Sequence, residues 1–131
     1  LETLLFQLVI SISDFYKISK YTLENDKINM AKNFIERRIT TKLTVEELST
    51  YVNLDRSYLS RQFKHHLGLS PSEYITIAKI EYASNLLKTS NMSIDVISNQ
   101  LSFTDQSHFS RKFKYYTGYT PGEFRKMFAE K

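Results

Sequence analysis

Two stretches of this 131-residue chain carry the same polar chemistry. Asp55-Arg56-Ser57-Tyr58-Leu59-Ser60-Arg61-Gln62-Phe63-Lys64 recurs at an offset of 50 as Asp105-Gln106-Ser107-His108-Phe109-Ser110-Arg111-Lys112-Phe113-Lys114. At about 100° per residue a helix puts Ser57, Ser60, Arg61 and Lys64 on one face, with Leu59, Phe63 and His66 or Leu67 opposite. The second stretch sets Ser107, Ser110, Arg111 and Lys114 against Phe109 and Phe113. Such a face suits nucleic acid. Arg bonds bidentately to guanine O6/N7, Ser reaches base edges or phosphate, and Gln106 brackets adenine. Lys64 and Lys114 suit phosphates, which position a protein without specifying sequence. One basic helical face is ordinary solvated surface, but solvation does not require Ser-x-x-Ser-Arg-x-Phe-Lys twice.

The repeat extends beyond these helices. Downstream it continues as Gly68/Gly118, Pro71/Pro121 and Glu73/Glu123, with Ser70/Thr120 and Tyr74/Phe124 as near-equivalents. Upstream the offset is 49, pairing Thr44/Ser93, Val45/Ile94, Leu48/Ile97, Ser49/Ser98, Val52/Leu101 and Leu54/Phe103. One inserted residue after Phe103 reconciles the registers. Each copy reads as helix, tight turn, helix. Thr44-Val45-Glu46-Glu47 is a capping box, Asn53 takes a left-handed turn position, and Asp55 caps the next helix. In the second copy Ser93 caps the first helix, Ser102 occupies the turn, and Thr104 caps the second. A left-handed Ser102 costs about 1–2 kcal/mol, because its Cβ crowds the backbone. Between the copies Ser70-Pro71-Ser72-Glu73 opens a helix with cap, N1 proline and N3 glutamate in place. Running to about Lys88, it spans ~27 Å, comparable to the ~34 Å of one DNA turn.

Composition supports an all-helical, two-unit chain. Only three Gly and two Pro occur, and strand-like alternation is scarce. The absence of Cys excludes disulfides, Cys-held zinc and thiol chemistry. The net charge is +4. Residues 1–25 hold two Lys against three acids, so the basic surplus lies in residues 26–131, a lean toward an anionic partner. No apolar run reaches the roughly 18 residues of a membrane helix. The first residues have no Met and no basic leader, and the chain reads as a fragment of something longer. His65-His66 and His108 lack ligand spacing for a metal. No Gly-x-Ser-x-Gly elbow supports a hydrolase. No cofactor is called for.

The segments 54–75 and, more specifically, 97–125 resemble the AraC/XylS-type transcription regulators. The second is carried by Phe103, Asp105-Gln106-Ser107-His108-Phe109-Ser110-Arg111, Phe113-Lys114, Gly118, Thr120-Pro121 and Phe124-Arg125. The resemblance covers about residues 26–131. It implies seven helices, promoter DNA as ligand, activation by recruiting RNA polymerase, and a bacterial, cytoplasmic setting. It places base reading on Ser57, Ser60, Arg61, Gln106, Ser107, Ser110 and Arg111, with Arg56 beside them. The phosphate set is Thr44, Tyr58, Lys64, Ser93, Thr104, His108 and Lys114. Three positions depart from the family pattern: Ser98 where Ala is common, Ser102 where Gly is common, and a small Ser57.

The expected architecture is therefore all-α. Two tandem helix-turn-helix units occupy about residues 44–67 and 93–116, joined by a linker helix over about 71–88. An extra N-terminal helix precedes the seven. Its apolar residues Leu1, Leu4, Leu5, Leu8, Ile12 and Phe15 recur at helical spacing. Glu24-Asn25-Asp26 ends that helix, and residues 27–39 form the first helix of the DNA-binding part. Residues 1–25 read as the last helix of a preceding sensor or dimerisation domain, or as an interdomain linker. A homodimer through residues 1–23 or through such a domain follows from that reading. A helix folded onto this same domain is the alternative. A rival function is a protein-interaction module that uses this helix and never touches DNA.

Overall fold

A computed structural model describes the backbone of residues 12–130 and the side chains of residues 25–130. Among the described residues there are seven helices and no strand. They are α1 (Ile12–Arg37), α2 (Val45–Val52), α3 (Arg56–Leu67), α4 (Pro71–Thr89), α5 (Ile94–Gln100), α6 (Gln106–Thr117) and α7 (Pro121–Phe128). The helix end expected at Glu24-Asn25-Asp26 is absent, because α1 runs through it without a break. None of these residues is Gly or Pro. Asn and Asp cost a helix interior only about 0.7 kcal/mol or less each, which flanking helical turns outweigh. The apolar stripe of residues 1–23 lies outside the described side chains.

Short polar residues set the helix starts. Thr44 Oγ1 accepts the Glu47 N–H at 3.1 Å and Ser93 Oγ that of Val96 at 3.1 Å. Ser70 Oγ accepts the Glu73 N–H at 3.2 Å, and Thr120 Oγ1 that of Glu123 at 3.2 Å. The second recognition-type helix differs from expectation. Its cap is Asp105, whose Oδ1 accepts the His108 N–H at 2.7 Å, and not Thr104. Asp55 does the same work in the first copy, accepting from Ser57 at 3.0 Å. Thr104 is the single inserted residue, and it lengthens the turn without entering the helix. Both turns are left-handed where the sequence places them, at Asn53 (φ 55°) and Ser102 (φ 59°). The Leu54 N–H closes back on the Ser49 carbonyl at 3.0 Å and that of Phe103 on Ser98 at 3.1 Å. Each is the six-residue closure of a Schellman end.

The apolar residues form two separate cores. Ile28, Ala31 and Ile35 of α1 meet Leu48 and Val52 of α2, Leu59 and Phe63 of α3, and Ile75 of α4. Ile80, Ala83 and Leu87 of α4 meet Ile97, Leu101, Phe109 and Phe113. The linker helix thus gives its first half to one core and its second half to the other. It also completes the repeat. Lys27, Ile28, Ala31 and Ile35 of α1 match Lys79, Ile80, Ala83 and Leu87 of α4 at an offset of 52. Each unit is therefore a long helix followed by a helix-turn-helix. The ring pairs repeat as well: Phe63–Tyr74 lie 5.4 Å apart at 77°, and Phe113–Phe124 lie 5.2 Å apart at 82°.

A buried hydroxyl sits unsatisfied in the second unit. Ser98 is fully buried and its hydroxyl has no hydrogen-bond partner among the described residues, whereas its equivalent Ser49 donates to the Glu46 carbonyl at 2.9 Å. A buried orphan hydroxyl costs about 1–3 kcal/mol. Ser98→Ala should raise unfolding stability by about 1–2 kcal/mol. Chemical denaturation checks this, and a loss of stability would show that the hydroxyl is bonded.

Candidate nucleic-acid interface

Helices α3 and α6 hold the candidate residues. Leu59 and Phe63, and in the second copy Phe109 and Phe113, are fully buried, so each helix is pinned by its apolar face. The opposite faces are open. Arg56, Ser57, Arg61 and Lys64 are exposed and Ser60 is half-buried beside them. Gln106, Ser107, Arg111 and Lys114 are exposed, with Ser110 half-buried. The eight residues expected to read bases therefore form two equivalent patches, one per unit. Glycines end both helices in the left-handed conformation, Gly68 at φ 74° and Gly118 at φ 83°, which a side chain would strain.

The remaining residues are arranged around these patches. Thr44 and Ser93 are exposed, and their hydroxyl oxygens already accept a helix-start N–H. Each hydroxyl proton is left to donate. Tyr58 is half-buried, with the Arg61 guanidinium 5.9 Å from its ring centre. His108 is half-buried and meets Phe103 edge-on at 5.6 Å, with its Nδ1 buried. That makes it the least accessible of the phosphate set with Tyr58. Thr104 is exposed on the turn.

Electrostatically the two patches differ. Arg56 pairs with Glu46 of α2 at 3.3 Å, and Lys64 lies 4.0 Å from Glu73. Both pairs are largely exposed, so each contributes about 0–1 kcal/mol to stability, yet each draws a cation toward a carboxylate. Among the described residues no carboxylate lies within 4.0 Å of Arg111 or Lys114. The second patch thus presents its cations less compensated. Spacing shows Glu46 only as part of the capping box, and folding brings it to Arg56. Asp105 was legible, since the offset of 50 pairs it with the cap Asp55.

His65 and His66 sit edge to face, 5.3 Å apart. Among the described residues no three His, Asp or Glu side chains are grouped to hold a metal, and no helix is long and apolar enough to cross a membrane.

A family profile described as a helix-turn-helix domain matches residues 48–127. The chain is 36% identical over 104 residues to the lactose operon transcription activator of Staphylococcus xylosus, covering 77% of this chain and 37% of that protein. It spans well under half the length of the curated relatives it matches. Its fold is similar to a transcriptional regulator with an AraC-type DNA-binding domain from Chromobacterium violaceum. That likeness has a TM-score of 0.77 and 30% identity over 81% of this chain and 95% of the other. The C-terminal domain of AraT, a response regulator from Geobacillus stearothermophilus, gives a TM-score of 0.76 at 27% identity, over 80% and 88% of the two chains. With its two helix-turn-helix units and the exposed basic face on each, the chain belongs to the AraC-type family of DNA-binding helix-turn-helix domains found in transcription regulators.

Proposed function

We propose that this chain is the DNA-reading end of a longer cytoplasmic transcription activator, and that α3 and α6 enter successive major grooves of promoter DNA. The observation that carries this reading is the duplicated exposed face, anchored each time by a buried Phe pair or Leu–Phe pair on its own core. Base reading falls to Arg56, Ser57, Ser60 and Arg61 in one half-site and to Gln106, Ser107, Ser110 and Arg111 in the other. Thr44, Tyr58, Lys64, Ser93, Thr104, His108 and Lys114 contact phosphates. Activation is supported by the name of the Staphylococcus xylosus relative, a transcription activator, and recruitment of RNA polymerase is the means this reading gives it. Dimerisation through residues 1–23 or a preceding domain belongs to the same reading.

The two half-sites are unlike because the readers are unlike. The second unit offers Gln106 for adenine and Arg111 for guanine. The first relies mainly on Arg61, with Arg56 more peripheral on the helix and paired with Glu46. A single chain then selects an asymmetric site with half-sites about 10 bp apart. Arg61→Ala and Arg111→Ala should each cost about 1–3 kcal/mol and relax preference in one half-site only, while Lys114→Ala weakens all sequences alike. Selection from a random duplex library with each variant measures this. Relaxation of the same positions by both Arg variants, or of none, contradicts two-groove reading.

Binding should also depend on salt: with roughly six phosphates neutralised, log K against log salt should fall with a slope of about −5. Titrations between low and physiological salt give the slope, and a flat response would favour the interaction module that avoids DNA.

A further inference from the structure

The two cores do not merge, so the angle between the units rests on the shared helix α4 and on the contacts made directly across the seam. No helix of α1–α3 packs extensively on any of α5–α7; both groups pack on α4. Along α4 the buried residues are Pro71, Ile75, Lys79, Ile80, Ala83 and Leu87. Five of the six are apolar or small. Lys79, at the point where the first core gives way to the second, is not.

Lys79 is buried, and its ammonium donates to the Leu101 carbonyl at 2.7 Å and to the Thr41 carbonyl at 3.3 Å. Leu101 ends α5 in the second unit; Thr41 follows α1 in the first. A cation at the carbonyl end of a helix is favourably placed in the helix dipole. The Phe103 ring lies 5.8 Å from the same nitrogen. Burial pushes the lysine below its usual range, which is the cost of keeping a charge at this seam. Beside it Ser102 Oγ donates to the Thr40 carbonyl at 3.1 Å, a second bond across the units. The equivalent Lys27 of α1 donates to the Asn53 carbonyl of its own unit at 3.5 Å. Capping the turn is thus common to both copies, and reaching into the other unit is added only in the second.

The first-unit side of this junction is itself fixed. Arg38 Nε donates to Thr41 Oγ1 at 3.0 Å, Thr41 Oγ1 donates to the Arg38 carbonyl at 2.8 Å, and the guanidinium pairs with Glu47 at 3.0 Å. The acceptors at Thr40 and Thr41 are therefore held against α2, and the donors against α4 and the second turn.

We infer that Lys79 and Ser102 are positioning residues that lock the two recognition helices at one mutual angle, and so fix the half-site spacing this chain accepts. The spacing part rests on the two-groove reading above; the lock itself does not. It also gives Ser102 a reason to keep its hydroxyl in a left-handed turn where glycine would be less strained.

The chain has no Cys, so spin labels on cysteines introduced as His65→Cys and Tyr115→Cys report one distance between equivalent points of α3 and α6. Pulsed electron paramagnetic resonance on the DNA-free chain should give a narrow distribution, which broadens in Lys79→Met and in Ser102→Ala while circular dichroism stays helical. Library selection should then return the same two half-site motifs for the variants, with spacing spread over several values. Affinity for the parent spacing should fall about tenfold as the effective concentration of the second unit drops. If Lys79→Met does not fold, Ser102→Ala decides alone. A broad distribution in the parent chain, or unchanged distance and spacing in the folded variants, overturns the lock. A narrow parent distribution that broadens as expected, with only a single half-site selected by the parent, keeps the lock and overturns two-groove reading and the spacing role together.

Discussion

Each recognition face depends on how its helix is held from behind. Leu59 and Phe63 fix α3, and Phe109 and Phe113 fix α6, by complete burial in cores that each unit builds for itself. Removing one such Phe ring typically costs about 3–5 kcal/mol, a large share of a small domain's stability. With the apolar face so constrained, the exposed positions of the helix have no packing duty. They are free to carry Ser, Arg, Gln and Lys. The chemistry of the surface is thus a consequence of where the rings go, and the same division appears in both copies because the same spacing does.

Between the units the constraint is different in kind. An apolar residue at this linker position would avoid burying a charge but would offer nothing directional. Lys79, buried all the same, adds hydrogen bonds to carbonyls on both sides. A charge buried this way stabilises little beyond its alternatives, and its attested value is in specifying one arrangement over others. A two-unit reader needs that property, since a helix displaced by a few ångströms no longer meets the base edges of its groove.

Much of this was legible in the residues. The duplication, the caps Thr44, Ser70 and Ser93, the left-handed Asn53 and Ser102, and the exposed patches on α3 and α6 all follow from spacing and side-chain chemistry. The errors share a cause. Glu24-Asn25-Asp26 reads as a break when only local polarity is weighed, but helix propensity penalises these residues too little to stop α1. Thr104 reads as a cap because Thr is a good one, yet the repeat register favoured Asp105, which the shorter turn of the first copy already identified. Lys27 and Lys79, with Ile28/Ile80, Ala31/Ala83 and Ile35/Leu87, show that the repeat begins a helix earlier than the motif pairs suggested. Its offset changes to 52 there, which hides it. The Arg56–Glu46 and Lys79–Thr41 contacts join residues 10 and 38 apart. No periodicity encodes them. A lone Lys in an otherwise apolar stripe is the one sequence feature that marks the junction, and it is visible only once α4 is known to serve both cores.

Whether one chain reads two grooves on one face of a duplex is decided by protection of guanine N7 from methylation on a selected duplex, at a stoichiometry fixed by parallel mass measurement. One chain per duplex should protect two major-groove patches about 10 bp apart. A single protected patch per chain, or a second patch that appears only when a second chain binds, rules out two-groove reading by one chain.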